Sequence, residues 1–285
     1  MEKARNALIM EGGAMRGMFT CGVLDVFMEE GIAFDAACGV SAGAVFSCNY
    51  KSGQIGRAIR YNKKYAKDAR YCSIRSLIKT GDLFGADFCY REIPDKLDIF
   101  DRKAFSENPM PFYVGATDVL TGKSLFHNCE KCDEEDMLWM RASASMPLLS
   151  RIVEVDGYSL LDGGISDPIP YKYMESLGYN RNIVILTQPK NYKKRKSRSV
   201  PIIKLMMKKY PAIISAMEKR HEVYSNQLKE IKEREEKGEA LVIRPPKSLG
   251  IGRTEKNAQK LECVYQEGRI EAQKRIKEIK EFLAK

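Results

Sequence analysis

Residues 7–50 carry two apolar runs, each ending in a glycine turn and followed by a helix pattern. Ala7–Met10 reads as a short buried strand that stops at Gly12–Gly13. Gly17–Glu30 follows as a helix, with Val23, Leu24, Phe27 and Met28 on one apolar stripe. Phe34–Val40 reads as a second strand and Ala42–Tyr50 as a helix rich in small residues. Strand–helix–strand–helix in this order predicts an α/β fold with a largely parallel sheet. Further strands are expected at Pro111–Ala116, Ser124–Phe126, Ser159–Leu161, Asn182–Thr187 and Leu241–Ile243. Residues 55–103 read as helices and loops covering the sheet.

The chain has 285 residues, enough for one large domain or two small ones and for a core without staples. Net charge is +10, but it is unevenly placed. Residues 1–180 carry 21 basic and 25 acidic side chains, whereas residues 181–285 carry 27 and 13. The sharpest break is Lys190–Arg198, KNYKKRKSR, which reads as an exposed mobile loop. Glu230 with Arg234, Glu233 with Lys237 and Glu271 with Arg275 have the i,i+4 spacing of helix-stabilising pairs on solvated faces. Those acids argue against nucleic acid as a partner. Residues 200–217 read as one helix with Lys204 and Lys208 on a shared face. It packs on the core, or lies on a membrane surface. The expected organisation is a catalytic region over 1–190. After it, residues 191–285 form a basic loop, a helical extension and one added strand on the same domain. No apolar run is long enough to span a bilayer or to serve as a signal peptide, so a cytoplasmic protein is expected.

Eight cysteines without an export signal predict free thiols. The pair Cys129–Cys132 is a lone CxxC with only His127 nearby, too little for a zinc site. With His221 the only other histidine, no metal and no cofactor are implied.

Gly39–Val40–Ser41–Ala42–Gly43 is GxSxG between an expected strand and an expected helix. A sharp strand-to-helix turn exposes the serine Oγ, and flanking glycines leave room where side chains would clash. The plainer alternative is a tight turn with a capping serine. Glu11–Gly12–Gly13–Ala14–Met15–Arg16–Gly17 lies at the first strand-to-helix turn. Its spacing fits neither a dinucleotide fingerprint nor a GK[ST] phosphate loop. If both strands belong to one parallel sheet, both turns open on the same edge, so backbone N–H groups of Gly12, Gly13 and Ala14 would face Ser41 as an oxyanion hole. Arg16 would add charge or brace the loop. Three groups compete as the base. His221 lies in a charged helical stretch, His127 has no evident carboxylate partner, and Asp162 ends an apolar strand before Gly163–Gly164. Residue pattern alone does not choose between a basic Asp162 and a turn-forming Asp-Gly.

Taken in order, EGGAMRG at 11–17, GVSAG at 39–43 and DGG at 162–164 make the sequence similar to the patatin-like phospholipase family, most closely to its bacterial cytosolic members. GATDVLTGK at 115–123, RASASMPLL at 141–149 and SDPIPY at 166–171 support the likeness, which covers about residues 6–190. The resemblance implies a three-layer α/β/α sandwich and a serine esterase without metal. Ser41 would be the nucleophile and Asp162 its base, with Gly12, Gly13, Ala14 and Arg16 at the oxyanion hole. Gly17, Gly39, Gly43, Gly163 and Gly164 would shape the motifs. Ala14 departs from the family's third loop glycine, which predicts an altered rather than a dead loop. The implied substrate is a lipid or other acyl ester. Lys190, Lys193, Lys194, Arg195, Lys196 and Arg198 form either a solvated loop, the commoner case, or a peripheral contact with an anionic membrane.

Overall fold

A computed structural model of the chain describes residues 5–284. Strand β1 (Asn6–Met10) enters α1 (Gly17–Glu29) through one 3₁₀ turn, and β2 (Ala36–Val40) enters α2 (Ala42–Lys51) through Ser41 alone. Helices α3 (Arg57–Tyr65) and α4 (Ile74–Thr80), a helical segment at Phe88–Leu97 and α5 (Arg102–Glu107) fill the excursion that follows. Next come β3 (Phe112–Asp118), β4 (Ser124–Asn128), α6 (Glu134–Ser143), β5 (Val153–Val155) and β6 (Tyr158–Asp162). Then α7 (Tyr171–Ser176), β7 (Arg181–Ile185), α8 (Val200–Met206) and α9 (Pro211–Glu236) lead to β8 (Ala240–Ile243), α10 (Ala258–Lys274) and α11 (Ile276–Ala284).

The strands form one sheet in the order β5-β6-β3-β2-β1-β7-β8. Strands β3, β2, β1, β7 and β8 run parallel, and β4, β5 and β6 add an antiparallel margin. Alternation along β1 separates two cores, because successive side chains leave opposite faces of a strand. Leu8 and Met10 pack with α1, α2 and α10, while Ala7 and Ile9 pack with Tyr171 and Met174 of α7 and Tyr224 and Ile231 of α9. The result is the expected three-layer α/β/α sandwich.

Register along β3 sets the position of the site. Its residues 112–115 pair with β2, and its residues 116–118 pair with β6. Strand β4 overlaps both stretches, at 113–117, so it must lie on the opposite edge. Strands β2 and β6 therefore meet head to head along one edge of β3, because one is parallel to it and the other antiparallel. Val40 pairs with Gly115 and Asp162 pairs with the next residue, Ala116. Ser41, the residue after Val40, is thereby delivered to Asp162.

The C-terminal region departs from its sequence reading in three ways. Residues 200–217 are not one helix: α8 ends at Met206, and α9 restarts with Pro211 in its first turn, where a missing N–H costs nothing. The expected i,i+4 side-chain pairs are replaced by others, some between helices and some at i,i+3. Arg234 pairs with Glu175 of α7 at 2.7 Å, and Glu230 accepts from Lys172 and Tyr171 of the same helix. Glu271 pairs with Lys274, and Arg275 with Glu278. Finally, the 190–198 segment has no regular structure, as expected, but Lys194 turns inward with its Nζ 4.3 Å from the centre of the Tyr224 ring. Among the described residues no helix is long and apolar enough to cross a membrane, and all eight cysteines are free thiols.

Candidate active site

Ser41 holds the turn between β2 and α2 at φ 55° and ψ −128°, a backbone conformation that costs an ordinary residue about 1–3 kcal/mol. It occupies the N-cap of α2 yet makes no capping hydrogen bond with its side chain. Its Oγ instead donates to Asp162 Oδ2 at 2.8 Å. That decides against a mere capping serine. Gly39 and Gly43 close the turn, since a Cβ on Gly39 would stand 2.5 Å from the Gly43 carbonyl oxygen.

Asp162 is buried, and its two carboxylate oxygens are engaged separately. Its Oδ1 accepts from Gly164 N at 2.8 Å and caps the short 3₁₀ turn over Gly163–Ile165, while Oδ2 meets Ser41. Its backbone is fixed on both sides, with Asp162 N donating to Ser145 O and Thr117 Oγ1 donating to Asp162 O, each at 2.8 Å. Burial pushes its carboxyl up from the ordinary carboxylate value. The Arg220 charge, then the Ser41 and Gly164 hydrogen bonds, partly offset that rise.

The glycine turn after β1 lies against Ser41. A Cβ on Gly12 would stand 2.8 Å from Ser41 Cβ and 2.9 Å from Val40 O, so only glycine permits this approach. Among the described residues, no acceptor takes the N–H of Gly12, Gly13 or Ala14, whereas Glu11 N and Arg16 N are both bonded. Ala14 adopts φ 49°, the conformation for which glycine is suited. The Arg16 side chain lies beside the turn with its buried Nε unpaired among the described residues.

Neither histidine joins Ser41. His127 does have a carboxylate partner, contrary to its sequence reading: Asp136 lies 2.7 Å from its Nε2. Burial opposes protonation of this imidazole, but Asp136 outweighs it and holds the value above the ordinary one. His127 is on β4, across β3 from the Ser41 edge, and Asp136 is in the first turn of α6. His221 meets Glu218 O and Glu222 on its own helix, as its helical surroundings suggested.

A cavity of about 100 Å³ opens at Ser41 and is walled by Met15, Val45, Phe46, Tyr61 and Phe84. It shares Ala86, Tyr90 and Arg141 with a wider groove of about 1060 Å³. A second, basic cavity of about 370 Å³ lies by Arg220.

A family model described as Patatin-like phospholipase matches residues 8–174, more than half of the chain. The chain belongs to the patatin-like phospholipase family. A second model, a domain of unknown function (DUF6363), matches residues 210–284. The uncharacterised protein YjjU of Escherichia coli K12 is 32% identical over 207 residues, covering 66% of this chain and 53% of that protein. An uncharacterised NTE family protein of Mycobacterium tuberculosis H37Rv is 30% identical over 167 residues, covering 58% and 44%. Neuropathy target esterase sws of Drosophila melanogaster is 26% identical over 184 residues, covering 62% and 12%. The chain thus spans about half the length of its bacterial relatives and a small part of the fly protein.

In this patatin-like phospholipase family member, several residues that sequence reasoning passed over reach the site. Ser143 Oγ accepts from Ser41 N at 2.8 Å and donates to Gly115 O at 2.6 Å. It lies in the 141–149 motif, which was a usable signal. Glu11, buried behind the glycine turn, accepts from Thr187 N at 2.6 Å and from Tyr224 OH at 2.7 Å. Arg220 Nε donates to Gly164 O. Tyr224 and Arg220 sit one turn apart on α9, so the 210–284 region touches both the glycine turn and the Asp162 turn. No local pattern in that charged helix marks them.

Proposed function

We propose that the chain is a serine lipid acyl hydrolase working through a Ser41–Asp162 dyad, with phospholipase A-type cleavage of ester-linked acyl chains as its reaction. The observation that carries this reading is the 2.8 Å hydrogen bond from Ser41 Oγ, on a strained and half-exposed turn, to a buried carboxylate. Ser41 Oγ attacks the ester carbonyl carbon as its proton passes to Asp162. The N–H groups of Gly12, Gly13 and Ala14 receive the negative charge that develops on the carbonyl oxygen. The alcohol leaves with the proton from Asp162. Water then attacks the acyl-enzyme, gives its proton to Asp162 and releases the fatty acid, and Ser41 regains its hydrogen. The aromatic and aliphatic wall from Met15 to Phe84 suits an acyl chain.

A fluorophosphonate probe is expected to label the folded protein at Ser41 and to leave Ser41→Ala unmarked. Equal labelling of the two proteins would remove Ser41 as nucleophile. Ala14→Gly is expected to keep ester turnover within a few-fold and not to lower the melting temperature, since glycine relieves the positive φ at a cost of similar size in chain entropy. A loss of more than about tenfold would mean that the Ala14 methyl itself holds the turn in shape.

A further inference from the structure

The basic cavity beside Arg220 is built differently from a solvated patch. Lys194, Arg195, Lys196, Arg198, Arg220 and Arg253 all line it, and no Asp or Glu does. Glu218 on α9, which feels the Lys196 charge, is held by Lys204 at 2.7 Å. Two of the cations are drawn inward. Arg220 is half-buried, and its only hydrogen bond among the described residues is from Nε to Gly164 O, which leaves its terminal nitrogens unused. Lys194 is half-buried over the Tyr224 ring. Burial first, and then the Arg220 charge, push its ammonium down to about 7 against the pull of Glu11, and Arg253 and Arg16 add to the crowding. Glu11 acts on both cations and Asp162 on Arg220, but like charges crowded out of water in excess of their counter-charges still cost stability, and a bound anion relieves that cost.

The cavity is also close to the reacting groups. Arg220 Nη2 and Asp162 Oδ1 lie 3.2 and 3.0 Å from the single point that a Cβ on Gly164 would occupy. Ser41 Oγ is hydrogen-bonded to the other oxygen of that carboxylate. The cavity at Ser41 has an aromatic and aliphatic wall, while the one beside Arg220, which contacts the Asp162–Gly164 turn, is cationic. In a glycerophospholipid only a few bonds separate the phosphate from the ester carbonyl of a fatty acyl chain. Arginine forks and a lysine match phosphate oxygens through charge-assisted hydrogen bonds.

We propose that this cavity seats the phosphate of a phospholipid substrate whose scissile ester lies at Ser41. The inference rests on the acyl-hydrolase reading above. It gives the 190–198 segment and the 210–284 region a shared task in choosing phosphate-bearing over neutral esters.

Two measurements test it, using Lys194→Gln, Arg253→Gln and the double variant. Calorimetric titration with glycerol 3-phosphate is expected to show binding to the wild type and at least tenfold weaker binding to the double variant. A titration in which wild type and double variant behave alike overturns the site. In kinetics with a monomeric short-chain phosphatidylcholine and with a p-nitrophenyl ester, the ratio of the two kcat/KM values is expected to fall at least tenfold in the double variant. An unchanged ratio overturns the substrate role. Inorganic phosphate separates the two sources of the same chemistry: competition with the phospholipid supports a headgroup seat. Equally tight binding without competition would make it a free-phosphate pocket and overturn the proposal. The variants relieve charge crowding, so their melting temperatures are expected to be no lower than wild type. If no ester is cleaved and Ser41 resists labelling, the hydrolase reading fails, while the titration still decides whether the cavity takes phosphate.

Discussion

Asp162→Asn is expected to lower kcat on a short-chain ester by about 10³- to 10⁴-fold while leaving the protein folded. Asparagine is nearly isosteric. Its carbonyl oxygen can keep the bond from Gly164 N that caps the turn, and its amide then points at Ser41 Oγ. That amide donates a hydrogen where a base must accept one, so the nucleophile is no longer activated. The stability effect has the opposite sign. Burial raises the Asp162 carboxyl above its ordinary value, so the folded state holds the proton more tightly than the unfolded chain does. Stability tied to this group is then greatest below the unfolded value, near 3.9, and is lost as pH rises through the raised folded value. At neutral pH the ionised, buried carboxylate is a net cost. Asp162→Asn removes that cost and should melt at or above the wild-type temperature.

Activity follows the same titration in reverse. The dyad needs Asp162 ionised, so kcat/KM should fall on the acid side with an apparent value above that of a free carboxylate. A pH profile on a soluble ester checks this, with circular dichroism to show that the fold persists. Wild-type turnover in Asp162→Asn would end the dyad mechanism. Since His127 stands across β3 and His221 is engaged on its own helix, no second base would be waiting in its place.

The contrast between Ser41 and Asp162 shows what the sequence could and could not say. Ser41 was legible because its signal is local: an apolar strand, a glycine pair and a small-residue helix within a dozen positions. Asp162 was not, without the family resemblance, because its meaning depends on a register 121 residues away in the chain. Only when β3 carries β2 and β6 end to end on one edge does a turn-forming Asp-Gly become a partner for the serine. Strand β5, three residues long, is too short to leave a pattern. The break between α8 and α9 was legible in principle, since Pro211 is a helix-start signal, but apolar residues on both sides masked it. Arg220 and Tyr224 flank His221 in a charged helical stretch whose sequence does not single them out. Charge counts do not reveal that one face of α9 packs beneath the sheet, where Tyr224 reaches Glu11.

Gly22→Ala tests how far the C-terminal region belongs to the core, and the two available arguments predict opposite signs. Helix propensity alone favours alanine by about 1 kcal/mol. Packing opposes it. Helices α1 and α10 cross with their backbones in contact: a Cβ on Gly22 would lie 2.0 Å from Tyr265 O, and one on Gly268 would lie 2.0 Å from Phe19 O. Both obstacles are main chain, so no rotamer change relieves them, and the helices must separate. Separation also strains the bond from Tyr265 OH to Asp25 at 2.6 Å and the Arg269–Glu29 pair at 2.8 Å. Overpacking of this kind costs about 3 kcal/mol or more, which exceeds the propensity gain. For a chain of this size that is a drop of roughly 6–10 °C in melting temperature. Gly268→Ala should do the same from the other side. The double variant should fall short of the sum, because separating the helices once relieves both clashes. A rise in melting temperature for either single variant would show that α10 rests loosely on the sandwich. The expected fall would make residues 258–274 as much a part of the core as α1 itself.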